Sequence, residues 1–182
     1  MDKKSAQVMT VCKCIDDCFA FALWCDDFAP YVDPDDMIAG LDRGFDVVSD
    51  ATRLHSFVAL RKLDDFLSDK KSKPTDLVVS TLGINKTGVL DAGTTFLTPD
   101  ERTDINTGVA HLTERLALED ESELDLQDIL KRSMPIFSRL VSELRKADAG
   151  KEATHWLDKT DALIKRGNEK EAAKLAASDV EL

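Results

Sequence analysis

Imidazole is the side chain best matched to proton transfer near neutral pH, and the chain carries three: His55, His111 and His155. His111 stands apart from the other two. Around it Ile105, Val109, Leu112 and Leu116 recur at helical spacing and form one apolar stripe. His111 projects about 130° from the centre of that stripe. Asp104, Thr107, Gly108 and Arg115 share its side, and Gly108 permits close approach by another backbone or a ligand. A histidine so placed does acid–base work, meets a second subunit or faces solvent. His55, two residues after Arg53, and His155, beside Trp156, have no partner set visible in the sequence, and surface or packing roles are expected for both.

Thiols and carboxylates are the other reactive groups. Cys12, Cys14, Cys18 and Cys25 all fall in the first helical stretch. Cys14 and Cys18 are one turn apart, a spacing that could present two thiolates to a metal. The same positions complete an apolar face, and free cysteine is among the most buried residue types. Core packing is therefore expected, and no metal or other cofactor. Acidic doublets recur at Asp16-Asp17, Asp26-Asp27, Asp35-Asp36 and Asp64-Asp65. Helix neighbours point about 100° apart, whereas magnesium-binding acids usually sit three or four apart on a shared face. Solvated faces and helix starts are the expected roles for most of these doublets.

The charge balance limits the partners. Acids outnumber Lys and Arg by 35 to 24, giving a net charge of −11, so the chain as a whole lacks the basic surface that phosphate contacts require. Residues 98–130 hold ten acids against Arg102 and Arg115. An anionic ligand is expected to approach elsewhere, either residues 131–182, with eleven basic residues against nine acids, or the neighbourhood of Arg61, Lys62, Lys70, Lys71 and Lys73. No apolar run approaches the roughly 20 residues of a membrane span, and Lys13, Asp16 and Asp17 interrupt the only stretch resembling a leader. A cytoplasmic protein without membrane contact is expected.

Helices position these groups. One is expected from about Ala6 to Ala29, with Val11, Cys14, Cys18, Phe21, Cys25 and Phe28 on one face and Pro30 ending it. Asp33-Pro34 is a second helix start, followed by a long helix from about Phe45 to Ser68 that pairs with the first as an antiparallel hairpin. A short helix after Pro74 ends near Gly83, and Ile84–Thr95 is irregular. Thr98, Pro99 and Glu101 form a strong start for a helix from Pro99 to about Leu118. A further helix runs from about Leu124 to Lys146, kinked or divided by Pro135. No credible strand appears beyond a short run at Leu77–Val79. The expected fold is all-α: an antiparallel helical bundle over residues 1–148, with 149–182 as a C-terminal helical appendage or tail.

The order of these helices carries a resemblance. The segment Arg53-Leu54-His55-Ser56-Phe57-Val58-Ala59-Leu60-Arg61-Lys62-Leu63 is followed by a variable section and then by Arg102-Thr103-Asp104-Ile105-Asn106-Thr107-Gly108-Val109-Ala110-His111. Together these resemble the HEPN superfamily, particularly its abortive-infection-like branch, over about residues 6–146. The resemblance implies a HEPN-like bundle that forms a homodimer, with a late helix bearing an arginine four to six positions ahead of a histidine. Two such motifs meet in one ribonuclease site. Here His111 matches the histidine, Asn106 occupies an arginine position, and Arg102 lies one turn earlier, projecting opposite to His111. The implied catalytic set is His111, Asn106 and Arg102, acting on RNA. The alternative is a catalytically silent interaction or ligand-sensing module, with the C-terminal segment available to a protein partner.

Overall fold

Asp2 opens the first helix, α1 (Lys3–Cys18). Its carboxylate accepts from the Ser5 N–H and the Ser5 hydroxyl, each at 2.8 Å, and so pairs a donor that a helix N-terminus otherwise leaves unsatisfied. The computed structural model describes residues 2–27, 42–69, 73, 76–110, 125–147 and 150–178. Phe28, Pro30, the start at Asp33-Pro34, Lys70, Lys71, His111, Leu112 and Leu116 lie outside them. The protein is all-α, and no strand occurs among the described residues.

The single helix expected from Ala6 to Ala29 is in fact two. After α1 comes α2 (Ala20–Asp27), with a break at Phe19. In an unbroken helix the Phe21 N–H would donate to the Asp17 carbonyl. Ser56 of α3 (Asp42–Ser68) occupies that position instead. Its Oγ accepts from the Phe21 N–H at 3.2 Å, and its hydroxyl donates to the Asp17 carbonyl at 3.3 Å. A side chain inserted into the backbone ladder is an established cause of a helix kink. The break falls at Phe19, which packs edge-on against Phe137 with ring centroids 5.8 Å apart.

Beyond α3, Lys86 Nζ donates to the Ser68 carbonyl at 3.3 Å, pairing one of the acceptors exposed at the helix end. Asp69, in the left-handed region at φ 61°, accepts from the Ser80 N–H at 3.0 Å. Two short 3-10 turns follow, Val79–Leu82 and Lys86–Gly88, where one short helix and an irregular stretch were expected. Gly83, at φ 73°, ends the first of them. Helix α4 is described over Pro99–Ala110, and α5 spans Leu126–Lys146. Pro135 does not divide α5. Both Pro135 and Lys131, whose carbonyl loses its usual donor, are exposed, so water can satisfy that carbonyl.

Paired residues fix the helix directions. Cys14 meets Ala59 and Asp17 meets Ser56, so α1 and α3 run in opposite senses, as expected of a hairpin. Helix α6 (Gly150–Ser178) lies along α1 in the same sense, because Gly150 approaches Ser5 and Thr160 bonds Asp16. It opposes α5, since Arg145 pairs with Asp158 near one end and Gly167 abuts Met134 near the other. Ala153, Leu157 and Ile164 of α6 join the same core as Ile15, Leu60 and Phe137.

Helix α1 therefore packs on two sides. Its buried apolar set is Val8, Val11, Cys12, Ile15 and Cys18, beside a buried Ser5, whereas Cys14, Phe21 and Cys25 of the expected face are only partly buried. Of the periodic apolar positions expected to form the stripe of α5, Leu126, Ile129, Leu130, Phe137, Leu140, Val141 and Leu144 are buried, and Ile136 is half-buried. Among the described residues no helix is long and apolar enough to cross a membrane.

Candidate functional site

The start of α4 carries the first of the anticipated site residues. Thr98 and Glu101 form the capping box: the Glu101 N–H donates to Thr98 Oγ1 at 3.2 Å, and the Thr98 N–H donates to Glu101 Oε2 at 2.8 Å. Glu101 is also paired with Arg132 of α5. Burial pushes the Glu101 carboxyl upward, but the Thr98 N–H and the Arg132 guanidinium outweigh it and hold the group below its usual range. Helix α4 is thus fixed both in direction and against α5.

Arg102 follows, and its guanidinium pairs with Asp64. Asp64 is 2% exposed on α3 and also accepts from the Leu97 N–H at 3.3 Å. Burial raises its carboxyl above the ordinary value, while the Leu97 N–H and the Arg102 charge pull the other way. A buried carboxylate stripped of its counter-charge is costly, so this pair ties α4 to α3. The doublet Asp64-Asp65 therefore departs from expectation, since one member is a buried anchor and not a solvated acid. Asn106 stands one turn beyond Arg102. Its Oδ1 is buried and has no hydrogen-bond partner. The structure thus places Arg102 and Asn106 on one helix, with Arg102 turned toward Asp64; His111 is outside the described residues.

Three of the cysteines, Cys12, Cys14 and Cys18, serve the core. Cys12 and Cys18 are fully buried and all four are free. The Cys18 thiol donates to the Cys14 carbonyl at 3.2 Å, and that of Cys14 to the Ala59 carbonyl at 3.3 Å. Burial pushes the Cys12 thiol up to about 11 and the Cys14 thiol up to about 12, far from the thiolate state that metal binding or nucleophilic attack needs. Among the described residues no group of three or more His, Cys, Asp or Glu side chains is arranged to hold a metal ion.

His55 does have a partner. Its Nε2 lies 3.2 Å from Asp17 Oδ1, beside the Ser56 that breaks the first helix. The cluster contains the three residue types of a hydrolytic triad, but Ser56 is 0% exposed and its hydroxyl is engaged by two backbone groups. A nucleophile needs an accessible oxygen and a base within hydrogen-bond reach. This serine shapes the backbone instead.

A groove of about 870 Å³ is lined by residues of α1 and α3 together with Leu77, Val78 and Arg102. Val11, Leu63, Phe66 and Val78 form its buried apolar base. Lys13, Arg61 and Lys62 are exposed cations on its walls. Arg61 and Lys62 belong to the region expected to receive an anion. Lys13 was missed, because a lone lysine on a helix otherwise rich in acids reads as an ordinary solvated position. A smaller cavity of about 260 Å³, lined by Asp64, Lys86 and Phe96 among others, shares Arg102 with the groove. The chain matches no family model, no curated protein and no solved structure.

Proposed function

We propose that this chain is a HEPN-like helical module that binds a partner without cleaving RNA, and that it acts as a homodimer. The observation that carries this reading is the Asp64–Arg102 pair. Of the described residues in the HEPN-like motif, Arg102 alone has a cationic side chain, and its guanidinium is committed to a carboxylate that is itself buried. Releasing it to hold a scissile phosphate would leave Asp64 without its counter-charge, a cost of about 2 kcal/mol with the arginine side chain 40% exposed. Asn106, in the arginine position, can donate a hydrogen bond but supplies no charge against developing phosphate charge. A cavity of about 870 Å³ lies within the size range of ligand sites, and it supplies the binding surface.

The test is incubation of the purified protein and its His111→Ala variant with a mixed RNA pool, with and without divalent metal. Intact RNA in every arm supports a silent module. Cleavage by the wild type that disappears in His111→Ala would replace this reading with a ribonuclease whose site comprises His111, Asn106 and Arg102. Light scattering at micromolar concentration tests the homodimer, and a monomer mass would refute it.

A further inference from the structure

A separate cavity of about 80 Å³ is lined by residues of α2, α5 and α6, and none of them lines the groove. The buried Phe19, Leu130 and Met134 line it together with Ala22, Leu23 and Leu163, which are only half-buried. Its charged lining is of one sign. Lys131, Arg166 and Lys170 are present beside Gln127, and among the described residues no carboxylate lines it. In a chain of net charge −11, three cations and no acid around one apolar cavity run against the overall balance. All three fall in residues 131–182, one of the regions expected to receive an anion. Each has an interaction of its own, yet an ammonium carries three N–H donors and a guanidinium five. Donors therefore remain for a ligand.

Gly167 supplies an independent observation. It lies inside α6, where glycine is less favourable than alanine. A Cβ at this position would fall 2.4 Å from Met134 Cε and 3.5 Å from Phe19 Cε1. The glycine thus makes room for the Met134 side chain, and an unbranched thioether adapts readily to an apolar guest. We infer that the cavity binds a short aliphatic monocarboxylate. Its tail lies among Phe19, Leu23, Met134 and Leu163, and its carboxylate is held by Lys131, Arg166 and Lys170. Size sets the tail. A water takes about 30 Å³ of liquid, so the cavity holds about three groups of that size, the tail of an acid of about four or five carbons. Charge and polarity set the class. Inorganic phosphate would leave the apolar lining to water, and an alkylamine would bring a fourth cation beside three.

The experiment uses the full chain with carbon-13 in its methionine methyl groups, so that Met134 reports on the cavity by NMR. The Met134 signal is assigned from its loss in Met134→Leu. Pentanoate, pentylamine, octanoate and inorganic phosphate are titrated separately at constant pH and ionic strength. Pentanoate should shift the Met134 signal saturably, with a Kd on the order of 1 mM for so few atoms. Pentylamine and phosphate should leave the signal in place where pentanoate saturates. Octanoate should bind within about threefold of pentanoate, because the shorter tail already fills the cavity. Combined Lys131→Gln, Arg166→Gln and Lys170→Gln should weaken pentanoate binding at least about tenfold with an unchanged circular dichroism spectrum. Gly167→Ala should force the Met134 tip from its present place and weaken binding by at least about tenfold, with helicity retained. Lys165→Gln, an exposed position of α6 that does not line the cavity, should change nothing.

No shift with pentanoate, an equal shift with pentylamine or phosphate, or undiminished binding by a folded triple variant would each overturn the inference. Octanoate bound more than about tenfold tighter than pentanoate would overturn the short tail. If the triple variant fails to fold, Gly167→Ala decides in its place, and pentanoate binding unchanged by it overturns the site. The site shares no residue with the groove or with the HEPN-like motif, so these outcomes are independent of the RNA cleavage assay.

Discussion

Replacing Ser56 by alanine tests the account of the break between α1 and α2. The hydroxyl is fully buried and bridges the Phe21 N–H and the Asp17 carbonyl at 3.2 and 3.3 Å. Alanine removes both bonds while leaving both backbone groups enclosed. A buried polar group that loses its partner costs about 1–3 kcal/mol. Both bonds are at the long end of the range, so a total loss of about 2 kcal/mol is expected. For a chain of this length that lowers the thermal midpoint by about 4–8 °C. The competing outcome is that α1 and α2 fuse, with the Phe21 N–H donating directly to Asp17 and recovering most of the loss. Fusion would shift Phe19 away from Phe137, against which it now packs, so the break should persist. Thermal melts followed by circular dichroism give the midpoint, and hydrogen exchange resolves the Phe21 amide. Faster Phe21 exchange with a lowered midpoint is the expected result. A midpoint within about 1 °C of the wild type, together with undiminished Phe21 protection, would refute the idea that Ser56 holds the break.

Arg102→Ala should destabilise the fold by about 2 kcal/mol at neutral pH, less than a fully buried pair would lose because the arginine side chain is 40% exposed. Asp64 already has a raised carboxyl in the folded state, and removing the cation raises it further. Between the unfolded value and that raised value the native state binds more protons, so stability falls as pH rises through the window. Urea midpoints should therefore differ between variant and wild type more at about pH 7 than at about pH 4, and an equal difference at both would contradict the assignment. Thr98→Ala removes half of the capping box and should cost about 1 kcal/mol in the same assay; a change under about 0.3 kcal/mol would show that Pro99 and Glu101 suffice. With its thiols held up by burial, the native protein should leave Cys12, Cys14 and Cys18 unlabelled by a thiol reagent near pH 8, and denaturant should expose all three. Rapid native labelling of Cys12 or Cys18 would place them outside the core.

Features set by neighbours in sequence were legible in advance. The Thr98–Glu101 box and the start at Pro99 depend on three or four residues, and the α5 stripe depends on period alone; the box and start are present as expected, and the stripe is buried except at the half-buried Ile136. The break at Phe19 was not legible, because its cause is Ser56, 35 residues beyond the Phe21 amide that it binds. The face of α1 was misplaced for a related reason. A periodic stripe identifies one packing partner, and α1 has two, so Val8, Cys12 and Ile15 are buried as well. Asp64 read as one of several acidic doublets, and its burial makes sense only with the Leu97 N–H and Arg102 folded back over it. Part of the groove was foreseeable from the basic residues Arg61 and Lys62. The groove itself was not, since it arises where α1, α3 and the chain before α4 converge.

The parallel alignment of α1 and α6 has a consequence for synthesis of the chain. The Thr160 hydroxyl donates to Asp16 Oδ1 across 144 positions, and Ala153, Leu157 and Ile164 complete the layer over α1. A nascent chain that has reached residue 147 lacks that layer, so the flank of α1 around Cys12 and Asp16 stays uncovered until α6 emerges. At about 5–20 residues per second, that exposure lasts on the order of seconds. During this interval that flank is open to other chains, and a chain truncated before α6 should aggregate more readily than the full chain.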